Sequence, residues 1–404
     1  MRALILTNEF PPEIYGGAGV HVDELTRHLR SLVEVDVRTF GSAAEEAPGW
    51  RVQGYPAAHD LSGADERLRP MLAAMSRDLA MVADPVTADI VHAHTWYVHL
   101  AGLLVQRAYG IPFALTLHSL EPLRPWKREQ LGGGYDVSSW VERTAVESAD
   151  AVVAVSQGTR EDVLRHFDVR EERVHVIHNG IDPDFYRPDP RTDALERHGI
   201  DPSVPYVLFV GRITRQKGII HLVRALQHLD PEIGVVLCAG QPDTPQIAAE
   251  MEAGVRAAQA ERSNVVWIGE MISRTDVRQL YSHAAVFCCP SVYEPFGIIN
   301  LEAAACETPV VASAVGGIPE VVVDGETGLL VPVELSLDDP MLPVDADRYE
   351  LNLAGAINAL MADAATREVM GRAGRRRAVE HFGWPAIARQ TVDLYRDLVE
   401  GRDG

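Results

Sequence analysis

Short apolar runs alternate with stretches whose apolar residues recur every three or four positions along most of the 404 residues. Residues 2–7, Arg-Ala-Leu-Ile-Leu-Thr, and Val33–Thr39 read as buried strands. Between them Val22, Leu25, Leu29 and Leu32 keep the spacing of one helix face. Further runs predict strands at Asp89–Ala93, Phe113–Leu117, Ala151–Val155 and Val174–Ile177. Strand, helix, strand in that order implies a parallel sheet covered on both faces. Residues 182–205 carry Pro183, Pro188, Pro190, Pro202 and Pro205 and read as a linker. The pattern then restarts at Tyr206–Val210. It continues with strands predicted at Gly234–Ala239, Asn264–Ile268, Ala285–Cys289, Val310–Ala312 and Gly328–Val331. The fold class expected is α/β, with two doubly wound domains over residues 1–190 and 200–384 and a last helix over Ala386–Leu398. Open parallel sheets bind ligands at the carboxyl ends of their strands, and two facing sheets make a cleft suited to a small molecule.

Composition narrows the classes. Apolar residues are 47% and charged residues 24%, which excludes a disordered chain or a coiled coil. The formal charge of −21 disfavours nucleic acid and anionic membrane as partners. A phosphorylated ligand must then be held by a few well-placed cations. Only Lys127 and Lys217 are lysines among the 37 basic residues, so each invites inspection. Cys238, Cys288, Cys289 and Cys306 have no metal-ligand spacing and read as buried thiols of a cytoplasmic protein. The first apolar run is too short for a signal peptide, and no stretch approaches 18 apolar residues.

Four places carry candidate chemistry. Gly211-Arg212-Ile213-Thr214-Arg215-Gln216-Lys217-Gly218 follows the first strand of the second half and opens a helix. Arg212 and Lys217 across that loop can meet one diphosphate, with helix amides as further donors. Glu294-Pro295-Phe296-Gly297-Ile298-Ile299-Asn300-Leu301-Glu302 spaces two carboxylates by eight residues. Pro295 suits a first helical turn, which puts Glu294 in the preceding loop and leaves the amides of Gly297, Ile298 and Ile299 for an anion. His118 follows a strand end. The glycine turn 16–19 fails the dinucleotide fingerprint, because Val22 stands where a third small residue belongs. His92 and His94 share a strand face, but neither an Asp nor a third His has metal-ligand spacing in the sequence, so no metal is expected.

With these residues in view the chain resembles the retaining glycosyltransferases of family 4, which have the GT-B fold of two facing Rossmann-like domains. The matching pieces span nearly the whole chain. They are Glu9-Phe10-Pro11-Pro12 with Gly16-Gly17, His92-Ala93-His94-Thr95-Trp96, Thr116-Leu117-His118, Asn179-Gly180-Ile181-Asp182, the Arg212/Lys217 pair, Glu294 through Glu302, Gly316-Gly317-Ile318-Pro319-Glu320, and Thr327-Gly328-Leu329-Leu330. The opening segment is most similar to actinobacterial glycogen-synthase-like members, which include the α-maltose-1-phosphate synthases. The Lys-x-Gly-Gly of classical glycogen synthases has Ile14 in its Lys position here, pointing away from chain elongation as the main role.

The resemblance implies the following roles. Arg212 and Lys217 hold the donor diphosphate. Glu294 binds hydroxyls of the donor glucose, and Glu302 the ribose. Gly297, Ile298 and Ile299 meet the sugar or distal phosphate. His118 lines the reaction centre, and Gly16 and Gly17 bring backbone near the phosphate. It implies ADP-glucose as donor and no cofactor or metal. It also implies a closing helix, within 385–404, that returns to the first domain. The acceptor expected is glucose 1-phosphate, giving maltose 1-phosphate through an α-1,4 link. An α-glucan chain is the alternative acceptor, and a nucleotide-sugar epimerase of the same fold is the alternative in another class. The loop Arg124-Pro125-Trp126-Lys127-Arg128 is a candidate for the acceptor phosphate, with Trp126 or Tyr135 stacking on a sugar ring. A homodimer is neither required nor excluded.

Overall fold

A computed structural model describes the chain except residues 15, 58, 59, 125, 126, 129–131, 337, 338, 340 and 402–404. It divides into two compact units, one of Met1–Gly180 with Trp384–Gly404 and one of Ile181–Gly383.

The first unit holds eight strands: β1 Arg2–Thr7, β2 Glu34–Phe40, β3 Ala44–Ala47, β4 Trp50–Tyr55, β5 Ile90–His94, β6 Phe113–Leu117, β7 Ala151–Ala154 and β8 Val174–Val176. Their order is β3-β4-β2-β1-β5-β6-β7-β8, parallel throughout except for the antiparallel β3–β4 pair. β5 and β6 are buried at every residue, as expected of strands covered by helices on both faces. The chain leaves β1 first toward β2 and later reaches β5 on its other side. The sheet therefore has its topological switch at β1, and ligands of such sheets bind at the carboxyl strand ends beside it. The residues after β1, β5 and β6 are Gly16–Gly19, His94 at the strand's last position, and His118.

The second unit holds β9 Tyr206–Arg212, β10 Gly234–Gly240, β11 Val265–Ile268, β12 Val286–Cys289, β13 Val310–Ser313 and β14 Gly328–Val331, all parallel, in the order β11-β10-β9-β12-β13-β14. Here the switch lies at β9, and the carboxyl ends of β9 and β12 carry Arg212 and the loop to Glu294. All four cysteines are buried and unlinked.

Three expectations are corrected. Residues 182–205 are not a linker; they belong to the second unit, with Asp189 paired to Arg278 at 2.6 Å and the Ala194 amide donating to Gln279 at 2.9 Å. The glycine segment is not a turn: a helix begins at Gly17, with Gly16 as its cap, and ends at Leu29, leaving Leu32 beyond it and exposed. The helix after Glu294 starts at Ile298 rather than at Pro295. The closing helix, Trp384–Glu400, buries Ile387, Ala388, Val392 and Tyr395 with Ala3, Ile5 and Val22 of the first unit.

Candidate active site

The candidate side chains gather at two places, one in each unit. In the second unit Arg212 is the last residue of β9, and its guanidinium hydrogen-bonds Asp243. Lys217 lies in the loop before the helix Ile219–Ala225, and its ammonium donates to Glu294 Oε2 at 2.5 Å. Burial works to lower the Lys217 pKa, but the facing Glu294 carboxylate outweighs it and the net shift is upward. The loop can turn here because Gly218 has φ +62° and no side chain: a Cβ would stand 2.0 Å from the Pro290 carbonyl. Glu294 is 6% exposed, and its Oε2 also accepts from the Ser291 hydroxyl at 3.3 Å. Gly316, at φ +53°, would place a Cβ 2.0 Å from the Glu294 carbonyl, which accepts from the Gly317 amide at 3.0 Å. The Gly316-Gly317 turn thus grips the Glu294 backbone while Lys217 and Ser291 hold its carboxylate.

Gly297 caps the helix Ile298–Ala305, so the amides of Ile298 and Ile299 stand in a first turn that has no intrahelical acceptors for them. Glu302, on the same helix, accepts from Tyr281 Oη at 3.0 Å. Burial pushes its carboxyl pKa up, opposed by the hydroxyls of Tyr186 and Tyr281. Asp243, Ser291, Tyr186 and Tyr281 were not singled out from sequence. Asn300 was not either; it is fully buried with both side-chain polar atoms unpartnered.

In the first unit His118 meets His94, with Nε2 and Nδ1 at 3.2 Å. The His21 ring stands edge-on to His118 at 4.7 Å between centroids, and its Nδ1 is 2.6 Å from Asn179 Oδ1. His92 has both nitrogens engaged, by Tyr395 Oη at 2.6 Å and Thr116 Oγ1 at 2.7 Å. Burial draws the His21 pKa down to about 4, against the Asn179 bond, and that of His92 to about 3. It puts His94 and His118 well below the usual imidazole value. His118 is therefore neutral at pH 7, suited to hydrogen-bonding a sugar hydroxyl rather than to carrying charge. The Gly16 amide donates to Glu9 Oε2 at 2.7 Å, so an anion at Gly16 and Gly17 would compete with that carboxylate.

The loop expected to meet the acceptor phosphate departs from that expectation. Lys127 is 7% exposed, turned inward to Glu121 Oε1 at 3.1 Å, and burial lowers its pKa. Glu121 also accepts from Ser138 at 2.8 Å and lies beside Glu142, whose carboxyl burial pushes up. Lys127 is thus an internal ion-pair partner and does not present its charge to a phosphate. Arg128 is exposed and pairs with Asp136, and its guanidinium stands 5.2 Å over the Tyr135 ring. Tyr135 donates its hydroxyl to the Glu121 carbonyl at 2.6 Å, so its covered ring is not a platform for sugar. Trp126 lies outside the described residues.

Comparison with known proteins places these two groups in a family. A model described as Glycosyltransferase Family 4 matches residues 15–185, and one described as Glycosyl transferases group 1 matches residues 190–339. An α-maltose-1-phosphate synthase of Mycolicibacterium smegmatis is 52% identical over 98% of this chain and 100% of its own. The chain belongs to glycosyltransferase family 4. A second α-maltose-1-phosphate synthase, from Mycobacterium tuberculosis, is 49% identical over 98% of this chain and all of its own. Among solved structures, a sucrose-phosphate synthase from Thermosynechococcus elongatus superposes with a TM-score of 0.79 at 27% identity, over 99% of this chain and 100% of that one. The glycosyltransferase has the two Rossmann-like sheets of GT-B enzymes and is a hexosyltransferase. No helix among its described residues is long and apolar enough to cross a membrane.

Proposed function

We propose that this glycosyltransferase moves glucose from ADP-glucose to glucose 1-phosphate, with retention, giving maltose 1-phosphate. The observation that carries the reading is the pair of cations, Arg212 and Lys217, at the carboxyl end of β9, on a chain with full-length likeness to enzymes named for that product. Breaking the anomeric C–O bond leaves positive charge on the sugar and an extra negative charge on the departing diphosphate. Arg212 and Lys217 stabilise the latter, and no metal ion is needed for that role. Glu294 Oε2 is taken by Lys217 and Ser291, which leaves Oε1 to meet hydroxyls of the donor glucose. A carboxylate so engaged favours front-face displacement over a covalent glucosyl-enzyme, which needs a carboxylate at attack distance from the anomeric carbon. Glu302 meets the ribose, and the Gly297–Ile299 backbone meets the sugar or distal phosphate. His118 lines the acceptor side. Of the loop cations, Arg128 remains the proposed contact for the acceptor phosphate and Lys127 does not.

The test crosses five nucleotide sugars with glucose 1-phosphate, maltose and glycogen. ADP-glucose with glucose 1-phosphate should turn over fastest. Faster elongation of glycogen would replace the reading with chain synthesis, and product formed without any acceptor would replace it with epimerisation. Arg212→Ala should lose at least a hundredfold in kcat, the order expected when one charge-stabilising donor is removed. Wild-type turnover in that variant would dismiss the diphosphate role.

A further inference from the structure

Three histidines far apart in sequence converge in the first unit: His21 from the helix Gly17–Leu29, His94 at the end of β5, and His118 just past β6. One ring nitrogen of each lies within 4.8 Å of those of the other two. Two features make this more than a packed cluster. The first is the His21 tautomer. The Asn179 carbonyl oxygen 2.6 Å from Nδ1 accepts the proton there, so the lone pair sits on Nε2, and that atom is buried with no hydrogen-bond partner. An outer carbonyl that fixes one ring nitrogen while the other points inward is the usual support of a metal-ligating histidine. The second is spacing. His94 Nδ1 and His118 Nε2 are 3.2 Å apart, and two nitrogens each about 2.05 Å from a tetrahedral ion stand about 3.3 Å apart. An ion could take the place of the proton those two rings share. The remaining nitrogen of His94 is also buried and unpartnered. His92, whose nitrogens are both engaged, packs against His94 with centroids at 4.3 Å and is not a ligand.

We propose that His21, His94 and His118 form a site for one transition-metal dication of imidazole preference, such as Zn²⁺ or Co²⁺, and that the bound ion inhibits the enzyme by occupying His118. Three neutral nitrogen ligands leave a fourth tetrahedral position for water. The first unit contains no cysteine, so none of its own residues offers a competing soft thiolate. Its ligands all come from the first unit, whereas Arg212 and Lys217 belong to the second, and the proposed reaction uses no metal. Binding is also read without turnover, so a failed donor screen leaves this proposal standing and a failed titration leaves the transferase reading standing.

The experiment titrates Co²⁺ into full-length, chelator-treated protein and follows visible absorption. One equivalent should bind, with the intense visible bands of a tetrahedral ion and without the near-ultraviolet band of a cobalt–thiolate bond. Zn²⁺ should abolish those bands, and its midpoint for displacement should match its midpoint for inhibiting transfer, with chelator restoring activity. His21→Gln and His94→Gln should each weaken binding at least tenfold. Absence of stoichiometric Co²⁺ binding to the wild-type protein overturns the proposal, whether or not the variants fold. So does a thiolate band, or unchanged affinity in both variants.

Discussion

Arg212 and Lys217 each face a carboxylate, Asp243 and Glu294, and the two pairings differ in kind. Glu294 shares its Lys217-bound oxygen with Ser291 and has a second oxygen for the sugar, so that pair can persist when donor binds. Asp243 has no such second task in the proposed reaction, and its negative charge occupies the guanidinium that a diphosphate would meet. Asp243→Asn should therefore lower the donor KM about fivefold, the worth of about 1 kcal/mol for a partly exposed ion pair, and leave kcat within about twofold. Initial-rate kinetics at varied donor decide it, and a raised KM would show that Asp243 positions Arg212 instead. At this scale the sequence was readable where rarity and position coincided. Lys217 stood out as a scarce lysine at a strand end, and His118 as a histidine just past one. Asp243 was not readable, because its pairing spans 31 residues of chain. Lys127 was misread for a related reason. A charged run implies solvent, whereas the buried Glu121 that draws the ammonium inward is visible only once the loop is folded. The third histidine of the His21–His94–His118 group came from a helix face, where spacing along the chain carries no signal.

Strands of the two sheets were legible as elements because helices cover both faces, so each strand is a continuous apolar run between turns. The exceptions lie at the sheet edge. Ala44–Ala47 reads Ala-Glu-Glu-Ala and pairs on one side only, and Trp50–Tyr55 mixes polar and apolar residues, so neither shows a run. The prolines of 182–205 were readable as a break in periodicity, but not as part of the second unit, held there by the Asp189–Arg278 ion pair and the Asp189 amide's bond to Ser282. The closing helix was legible as an element, expected over Ala386–Leu398 and found over Trp384–Glu400, while its docking partner entered only through the family resemblance. That docking is specific. Trp384 is 2% exposed and stands edge-on to His21 with centroids at 5.3 Å, and Tyr395 reaches His92. Trp384→Ala removes a large buried ring and should cost about 3–5 kcal/mol. In a unit of this size that lowers the first thermal transition by roughly 10 °C. Calorimetry of the variant measures the shift, and a change under about 2 °C would mean that the helix is not part of the first unit's cooperative core.

Taken whole, the chain inserts one folded unit within the sequence of another: residues 181–383 interrupt the first unit and have their own ends side by side. The Ile181 amide donates to the Phe382 carbonyl at 2.7 Å, and Ile181 bridges Gly383 in parallel. A segment whose ends meet needs nothing outside itself to close its loop, so excision costs little chain entropy. It also carries its own apolar core, from Val207 and Phe209 through Leu237 and Val286 to Leu353 and Ile357. The side chains proposed to meet the donor, Arg212 and Lys217 at the diphosphate, Glu294 at the glucose and Glu302 at the ribose, all lie within it. The fragment 181–383 should therefore fold alone, with one cooperative thermal transition. ADP should stabilise it by about 2.7 kcal/mol at a hundred times its dissociation constant, through preferential binding to the folded state. Arg212→Ala in the fragment should abolish most of that gain while leaving the unliganded transition in place. This separates nucleotide recognition from catalysis, because the fragment lacks His118 and cannot report on transfer. A fragment that folds cooperatively yet gains nothing from ADP would put the nucleotide elsewhere in the chain. A fragment without a cooperative transition would show that the adjoining ends do not suffice and that the second unit borrows stability from the first.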